Sequence, residues 1–438
     1  MPTASLRLLS TGTAAVTALA FLPASAHAQD RCGARLTVPG AQRQVAACLD
    51  DLTTAGTVAS GHTVPADWAG LHPAGARNPT GVPGIQLDGY FPDSSTFNTN
   101  NGWNHDAQFV IRLPKKWNGG LVVSGSPGTR RQYANDYTIS DWVLAKGYAF
   151  AATDKGNSGG EFFKDGRRPG DAIAEWNHRV TQLTRAAKAV VTQRYGRAPR
   201  RTFAAGISNG GYLVRWQLEN RPELYDGGID SEGTLWRAHG PNLLTFLPPV
   251  LRAYPSYAAT GDPDAHRAII NAGFAPGSEF LWPYHDQVYW GLTQRIYRQE
   301  VDPLYNGPET DYDYASRPAS VHRAVQRISL TGRIRKPLIT LHGTYDTLLP
   351  ITKTSDVYAD MVRASKAAPY RYYRLEAGNH VDGLYDAYPD RLRPLLPCMR
   401  SAFTALETWA AGRQAPPPSA TLPRPTSGDL ANSCSLSG

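Results

Sequence analysis

Short apolar runs punctuated by Gly and Pro set the rhythm of the chain from about residue 106 onward. AQFVIRL (107–113), GGLVVSG (119–125) and GYAFAATD (147–154) read as buried strands. From Asp171 to Tyr195, apolar residues recur every three or four positions, which predicts one long amphipathic helix. RTFAAGIS (201–208) is the next strand, YLVRWQLEN (212–220) a helix, and YDGGID (225–230) a further strand end. The alternation then stops. Residues 235–334 are dense in Trp, Tyr, Phe and Pro without an evident buried strand. It resumes with the strand KPLITLHG, a helix over SDVYADMVRAS, the strand YRYYRLEA and a helix from about Arg391 to Arg413. Strands alternating with helices predict an α/β fold with a mostly parallel sheet covered on both faces.

The flanks break that rhythm. Residues 29–105 are rich in Gly, Pro, Asn and Thr and read as an irregular N-terminal segment with one short helix around QRQVAACLDDL. Residues 414–438 form a Pro/Ser-rich tail. The expected organisation is therefore a core of 106–234 and 335–413, with 235–334 inserted as a cap, since a hundred residues exceed an ordinary loop. Residues 1–28 carry one positive charge, a small-residue apolar run and Ala26-His27-Ala28 before Gln29, the pattern of a cleaved export signal. A membrane anchor is the weaker reading, because Ser, Thr and Pro23 interrupt the run. A secreted or periplasmic location and no membrane span follow as expectations.

Charge adds little. The formal net charge is +8, spread along 438 residues without a block of like charges, and no nucleic-acid-binding motif accompanies it. The four cysteines, Cys32, Cys48, Cys398 and Cys434, suggest two disulfides in an exported protein. Of the three possible pairings, Cys32 with Cys48 and Cys398 with Cys434 is preferred. No Cys/His cluster points to a metal, and no cofactor motif is present.

Two stretches match G-x-S-x-G, the pattern of a serine on a sharp strand-to-helix turn: GNSGG (156–160) and GISNG (206–210). Ser208 has a strand before it and a helix after it. Ser158 lies four residues beyond the end of its strand and is followed by Gly and Pro, so it is expected in a flexible loop at the rim of the site. A serine hydroxyl needs a base to take its proton during attack. On this architecture the acid and then the histidine follow the nucleophile at strand ends. Asp346 stands just past KPLITLHG, and His380 just past YRYYRLEA. Of the 11 histidines, His380 alone follows Asp346. Asp230 and Glu232 are the fallback acids. The oxyanion that forms on attack needs two aimed donors. These are expected from the backbone N–H of Asn209 and from the loop SGSPGT, with Ser126 first and Gly128 or Thr129 as alternatives.

Together, SGSPG, GISNGG, Asp346 after LHGTY and His380 in GNH resemble the α/β-hydrolase superfamily over roughly Asp106 to Arg413. Within it, LPKKWNGGLVVSG and LAKGYAFAATDKGNSG are similar to segments of secreted tannases and feruloyl esterases. The resemblance implies hydrolysis of carboxylic esters through a Ser-His-Asp triad, often with aromatic acid parts. That family typically joins nucleophile and base by a disulfide between the residue before the serine and the one after the histidine. Here those positions are Ile207 and Val381. The substrate is expected to be a small-molecule or oligomeric ester, with polyester oligomers left open. Rival readings are a serine peptidase or aminoacyl amidase, a C–C diketone hydrolase, and a non-catalytic binding module. Aromatic residues of the insertion, among them Trp236, Tyr284, Tyr289 and Trp290, either line an acyl site or form the insertion's own core.

Overall fold

Residues on the central strands alternate between two apolar layers, and this alternation builds the molecule. In a computed structural model that describes residues 36–365 and 369–437, strand β4 (Gly120–Gly125) points Leu121 and Val123 to one face and Val122 to the other. The first face packs against the helix Asp171–Tyr195 through Trp176, Val180 and Leu183. The second packs against the helix Leu396–Ala410 through Met399, Phe403 and Leu406. Strand β6 (Arg201–Ile207) does the same with Ala204 on the first face and Phe203 and Ala205 on the second. Both faces are dry, so the strands read as continuous apolar runs.

Among the described residues the strands form one ten-stranded sheet in the order β1-β2-β3-β5-β4-β6-β7-β8-β9-β10. The new members are β1 (Arg43–Leu49), β2 (Gly84–Tyr90), β3 (Gln108–Pro114), β5 (Ala149–Thr153), β7 (Gly227–Ser231), β8 (Leu338–Gly343), β9 (Tyr370–Leu375) and β10 (Ala420–Leu422). From β5 to β10 all pairings are parallel, while β1, β2 and β3 add on antiparallel. The long helix begins and ends where its periodicity does, between Gly170 and Gly196, both in the left-handed region.

Three expectations about the flanks are corrected. QRQVAACLDDL contains an edge strand instead of a helix, because Arg43 to Leu49 pairs residue by residue with Tyr90 to Gly84. Helical spacing of its alanines and valine was outweighed by an available strand partner. The partner, GIQLDGY, lies in the segment read as irregular. The C-terminal tail likewise adds β10 to the sheet, beside Tyr373 to Leu375. The Cys398–Cys434 disulfide is present. Cys32, and with it the Cys32–Cys48 pairing, lies outside the described residues, as does the 1–28 leader.

Between β7 and β8 the chain runs through helices including Leu243–Thr260, Pro263–Asn271, Gly291–Val301 and Ala319–Ile328. Trp236, Phe246, Trp282 and Trp290 are fully buried there, in a cluster continuous with the layer over the Asp171–Tyr195 helix. No described helix is long and apolar enough to cross a membrane.

One buried ion pair ties the sheet to its covering helix. Arg215 Nε donates to Asp230 Oδ2 at 2.5 Å, and both side chains are fully buried. Asp230 also accepts from Thr340 and from the Gly233 N–H. The fallback acid Asp230 is thus committed to structure. Removing one partner of such a pair strands the other charge, so Arg215→Met is expected to cost about 3–5 kcal/mol of unfolding free energy, read by denaturant titration. A loss below about 1 kcal/mol would show that the pair does not hold the sheet and helix together.

Candidate active site

Ser208 occupies the turn between β6 and the helix Asn209–Asn220, with φ 58° and ψ −120°. Strained backbone of this kind persists only where the surroundings over-determine it. The glycines of GISNGG allow the close approach: a Cβ at Gly206 would lie 2.2 Å from the Gly210 carbonyl oxygen, and one at Gly210 would lie 2.6 Å from that of Gly125. Ser208 N–H donates to Ser231 O at 2.9 Å, which ties the turn to the end of β7.

Asp346 and His380 are brought together by a second backbone contact of the same kind. A Cβ at Gly343, the last residue of β8, would meet the Gly378 carbonyl at 2.3 Å. Tyr345 N–H donates to Gly378 O at 2.8 Å, and Ala377 N–H donates to Thr344 Oγ1 at 2.9 Å. The loops after β8 and β9 are therefore laced together. His380 Nδ1 lies 2.8 Å from Asp346 Oδ2, and His380 Nε2 lies 3.1 Å from Ser208 Oγ. The carboxylate can only accept, so Nδ1 carries the proton and Nε2 presents a lone pair to the serine.

Asp346 is fully buried and fully bonded. Its Oδ1 accepts from the N–H groups of Leu348 and Leu349 at 2.9 and 2.7 Å, and its Oδ2 also accepts from His342 Nε2 at 3.0 Å. Burial alone would raise the carboxyl, yet the facing His380 and His342 rings and their hydrogen bonds hold it well below the usual carboxylate range. His342, in LHG, is a partner that reading the sequence missed. Its Nδ1 meets Ser355 Oγ at 2.7 Å, and that hydroxyl accepts from Arg215 at 2.7 Å. A buried polar chain thus runs from Asp230 through Arg215, Ser355 and His342 to Asp346.

Glu232 is the second feature missed, beyond its role as a fallback acid. It sits just past β7 at φ 53°, buried, with Oε2 3.8 Å from His380 Nδ1 and Oε1 accepting from Gly343 N–H at 3.4 Å. Burial and the neighbouring Asp346 push its carboxyl well above the ordinary range. Glu232, His342 and Asp346 place metal-ligand atoms within 4.8 Å of one another. The His342 Nε2 proton points at Asp346, however, so this is a hydrogen-bonded cluster.

The two serines separate clearly. Ser158 is not in a flexible rim loop: it is buried and donates to Asp106 Oδ1 at 2.8 Å, because that oxygen is otherwise unmet in the interior. The oxyanion donor expected at Ser126 is also corrected. Its N–H continues the β4–β5 pairing by donating to Thr153 O at 3.1 Å. Its hydroxyl donates to Arg130 O at 2.6 Å and accepts from the fully buried Lys155 ammonium, which burial pushes down to about 7. Gly128 and Thr129 line the cavity instead, and their N–H groups make no hydrogen bond among the described residues. Asn209 Nδ2 donates to Gly128 O at 3.0 Å, clamping this loop to the residue after Ser208. The Asn209 N–H opens its helix and so lacks an intrahelical partner.

A cavity of about 200 Å³ opens over Ser208 and His380, walled by Leu71, Leu243, Tyr289, Ile296 and Leu349. Ile207 and Val381, which flank the serine and the histidine, line it too. Of the insertion's aromatics, Tyr289 and Tyr297 reach the cavity, while Trp236 and Trp290 serve the core.

Comparisons with known proteins agree with this architecture. Residues 95–236 match the family described as tannase and feruloyl esterase. Residues 304–437 match the family described as 3HB-oligomer hydrolase. Feruloyl esterase B from Aspergillus oryzae superposes with a TM-score of 0.53 at 14% identity, covering 89% of this chain and 91% of that one. Tannin acyl hydrolase from Aspergillus niger gives 0.50 at 14% identity, covering 87% and 86%. The fold is the α/β-hydrolase fold. A mono(2-hydroxyethyl) terephthalate hydrolase of Piscinibacter sakaiensis is 28% identical over 142 residues, 29% of this chain. The match spans 23% of that relative's length.

In this arrangement the carboxyl of Glu232, pushed up by burial and by Asp346, is expected to act as a neutral neighbour. Glu232→Gln should keep the far-downfield NMR signal of the His380 Nδ1 proton, whereas Asp346→Asn should abolish it. Loss of that signal in Glu232→Gln would show that Glu232 carries the negative charge on the ring.

Proposed function

We propose that the protein is an exported carboxylic ester hydrolase that works through an acyl-enzyme on Ser208. The observation that carries this reading is the relay Ser208–His380–Asp346, with separations of 3.1 and 2.8 Å, opening directly on an apolar cavity. His380 Nε2 takes the proton as Ser208 Oγ adds to the ester carbonyl, and Asp346 stabilises the imidazolium that results. The oxyanion is held by the N–H groups of Asn209 and Gly128. His380 then protonates the departing alcohol, water enters, and the same three groups run the sequence in reverse to free the acid. Both family matches and the partial relative carry names of ester hydrolases, which supports the ester bond as the target. The short cavity favours a ring-sized or smaller unit beside the scissile bond, with aromatic esters and polyester oligomers as the classes to try. Export is supported by the N-terminal pattern and by the Cys398–Cys434 disulfide, which needs an oxidising compartment.

The test is one panel of aryl acyl esters, hydroxycinnamate and gallate esters, polyester oligomers and aminoacyl anilides. Ser208→Ala is expected to lower ester turnover by about 10⁴-fold or more, and Asp346→Asn by about 10⁴-fold. Ser158→Ala should keep kcat within about threefold while losing about 1 kcal/mol of stability, the worth of its buried hydrogen bond. Faster cleavage of anilides than of esters would put a peptidase or amidase ahead, and full activity in Ser208→Ala would end the esterase reading.

A further inference from the structure

The helical stretch over the cavity carries an apolar stripe that continues outside it. Among the described residues seven large apolar side chains stand exposed, and three of them, Tyr284, Val288 and Leu292, recur at four-residue spacing on this one stretch. That spacing places them along one side of successive turns Trp282–His285, Asp286–Trp290 and Gly291–Val301. Four residues further, Ile296 is buried and lines the cavity beside Ser208. Leu292 belongs to both, since it is 44% exposed and also lines the cavity. At the outer end Tyr284 packs edge-on against Tyr289, with ring centroids 5.8 Å apart, and Tyr289 is itself a wall of the cavity. The stripe is thus one continuous apolar track leading from the nucleophile to the surface.

We propose that Tyr284, Val288 and Leu292 form a binding subsite for the units of an oligomeric ester that extend beyond the cavity. The proposal rests on the esterase reading above. An apolar cavity of about 150 Å³ holds a benzene ring, so the cavity of about 200 Å³ takes one unit of a chain and leaves the next at its mouth. A chain of short hydroxy-acid esters has no charge between its ends and buries alkyl and ester groups alike. Such a chain matches an apolar track flanked by the phenols of Tyr284 and Tyr289, and the Arg130 guanidinium at the cavity wall beside them can meet its terminal carboxylate or an ester carbonyl. Solvent exposure of this track then has a cause, because the ligand covers it during turnover.

The experiment compares kcat/KM for 4-nitrophenyl acetate, which fills the cavity alone, with that for a 3-hydroxybutyrate trimer. Wild type, Val288→Asp, Tyr284→Ser and the control Val45→Asp, more exposed than either and on β1, are assayed below the aggregation limit of either substrate. Val288→Asp and Tyr284→Ser should each lower the trimer value roughly tenfold while leaving the acetate value within twofold, and the control should change neither. Equal losses on both substrates, or an unchanged trimer value, overturn the subsite. So does a loss that appears only with aggregated substrate, which would assign the stripe to a lipid-like surface. Wild type that cleaves acetate without cleaving trimer overturns the subsite alone. Wild type that cleaves neither overturns the esterase reading beneath it.

Discussion

Backbone-to-backbone contact at the carboxyl edge of the sheet is the constraint on which the site depends. At Gly206 and Gly210 the strand and the helix after it approach until no side chain fits between them, and the serine is lifted onto a turn with positive φ. At Gly343 and Gly378 the loops after two neighbouring strands touch in the same manner, so Asp346 and His380, which they carry, meet. A Cβ at Gly206, Gly210 or Gly343 would overlap backbone atoms, so the elements that carry the three side chains would have to move apart. The meeting of Ser208, His380 and Asp346 therefore depends on side chains missing from neighbouring glycines.

Around that edge the charges are arranged at increasing depth. Asp346 is ionised because two imidazoles and two backbone N–H groups meet its oxygens. Glu232, a short distance away, has no such set of donors and faces Asp346, so burial and that neighbour push its carboxyl well above the ordinary range. Two neighbouring carboxyls pushed in opposite directions is the expected outcome when only one of them is solvated by the protein. Behind them, His342, Ser355 and Arg215 link this carboxylate to the ion pair inside the sheet. The orientation of the Asp346 carboxylate is thereby tied to the packing of a helix and a strand.

The chain ends extend the same sheet. β1 and β2 add to one side and β10 to the other, where Arg393 reaches both the Leu422 carbonyl and the sulfurs of the Cys398–Cys434 disulfide. Segments rich in Gly and Pro can join a sheet in this way because an edge supplies hydrogen-bond partners to any extended chain of suitable register.

Periodicity and turn chemistry determined much by themselves. The strands from β3 onward that are buried on both faces, the long helix between Gly170 and Gly196, and the serine in GISNGG were all legible, because each is dictated by local spacing or by glycine. That Asp346 and His380 meet beside Ser208 was legible through their order and their place after a strand. The edge strands were not, since β1 and β10 owe their conformation to partners distant in sequence. Nor was the state of the loop after β4: the Ser126 N–H looks available in SGSPGT, and only the pairing with Thr153 across to β5 consumes it. His342 and Glu232 acquire their roles only when burial places them beside Asp346. Local sequence thus decided the elements and where Ser208, Asp346 and His380 stand on them. The tertiary structure decided which donors remain free and which carboxyl is charged, because both depend on contacts between segments that the linear order keeps apart.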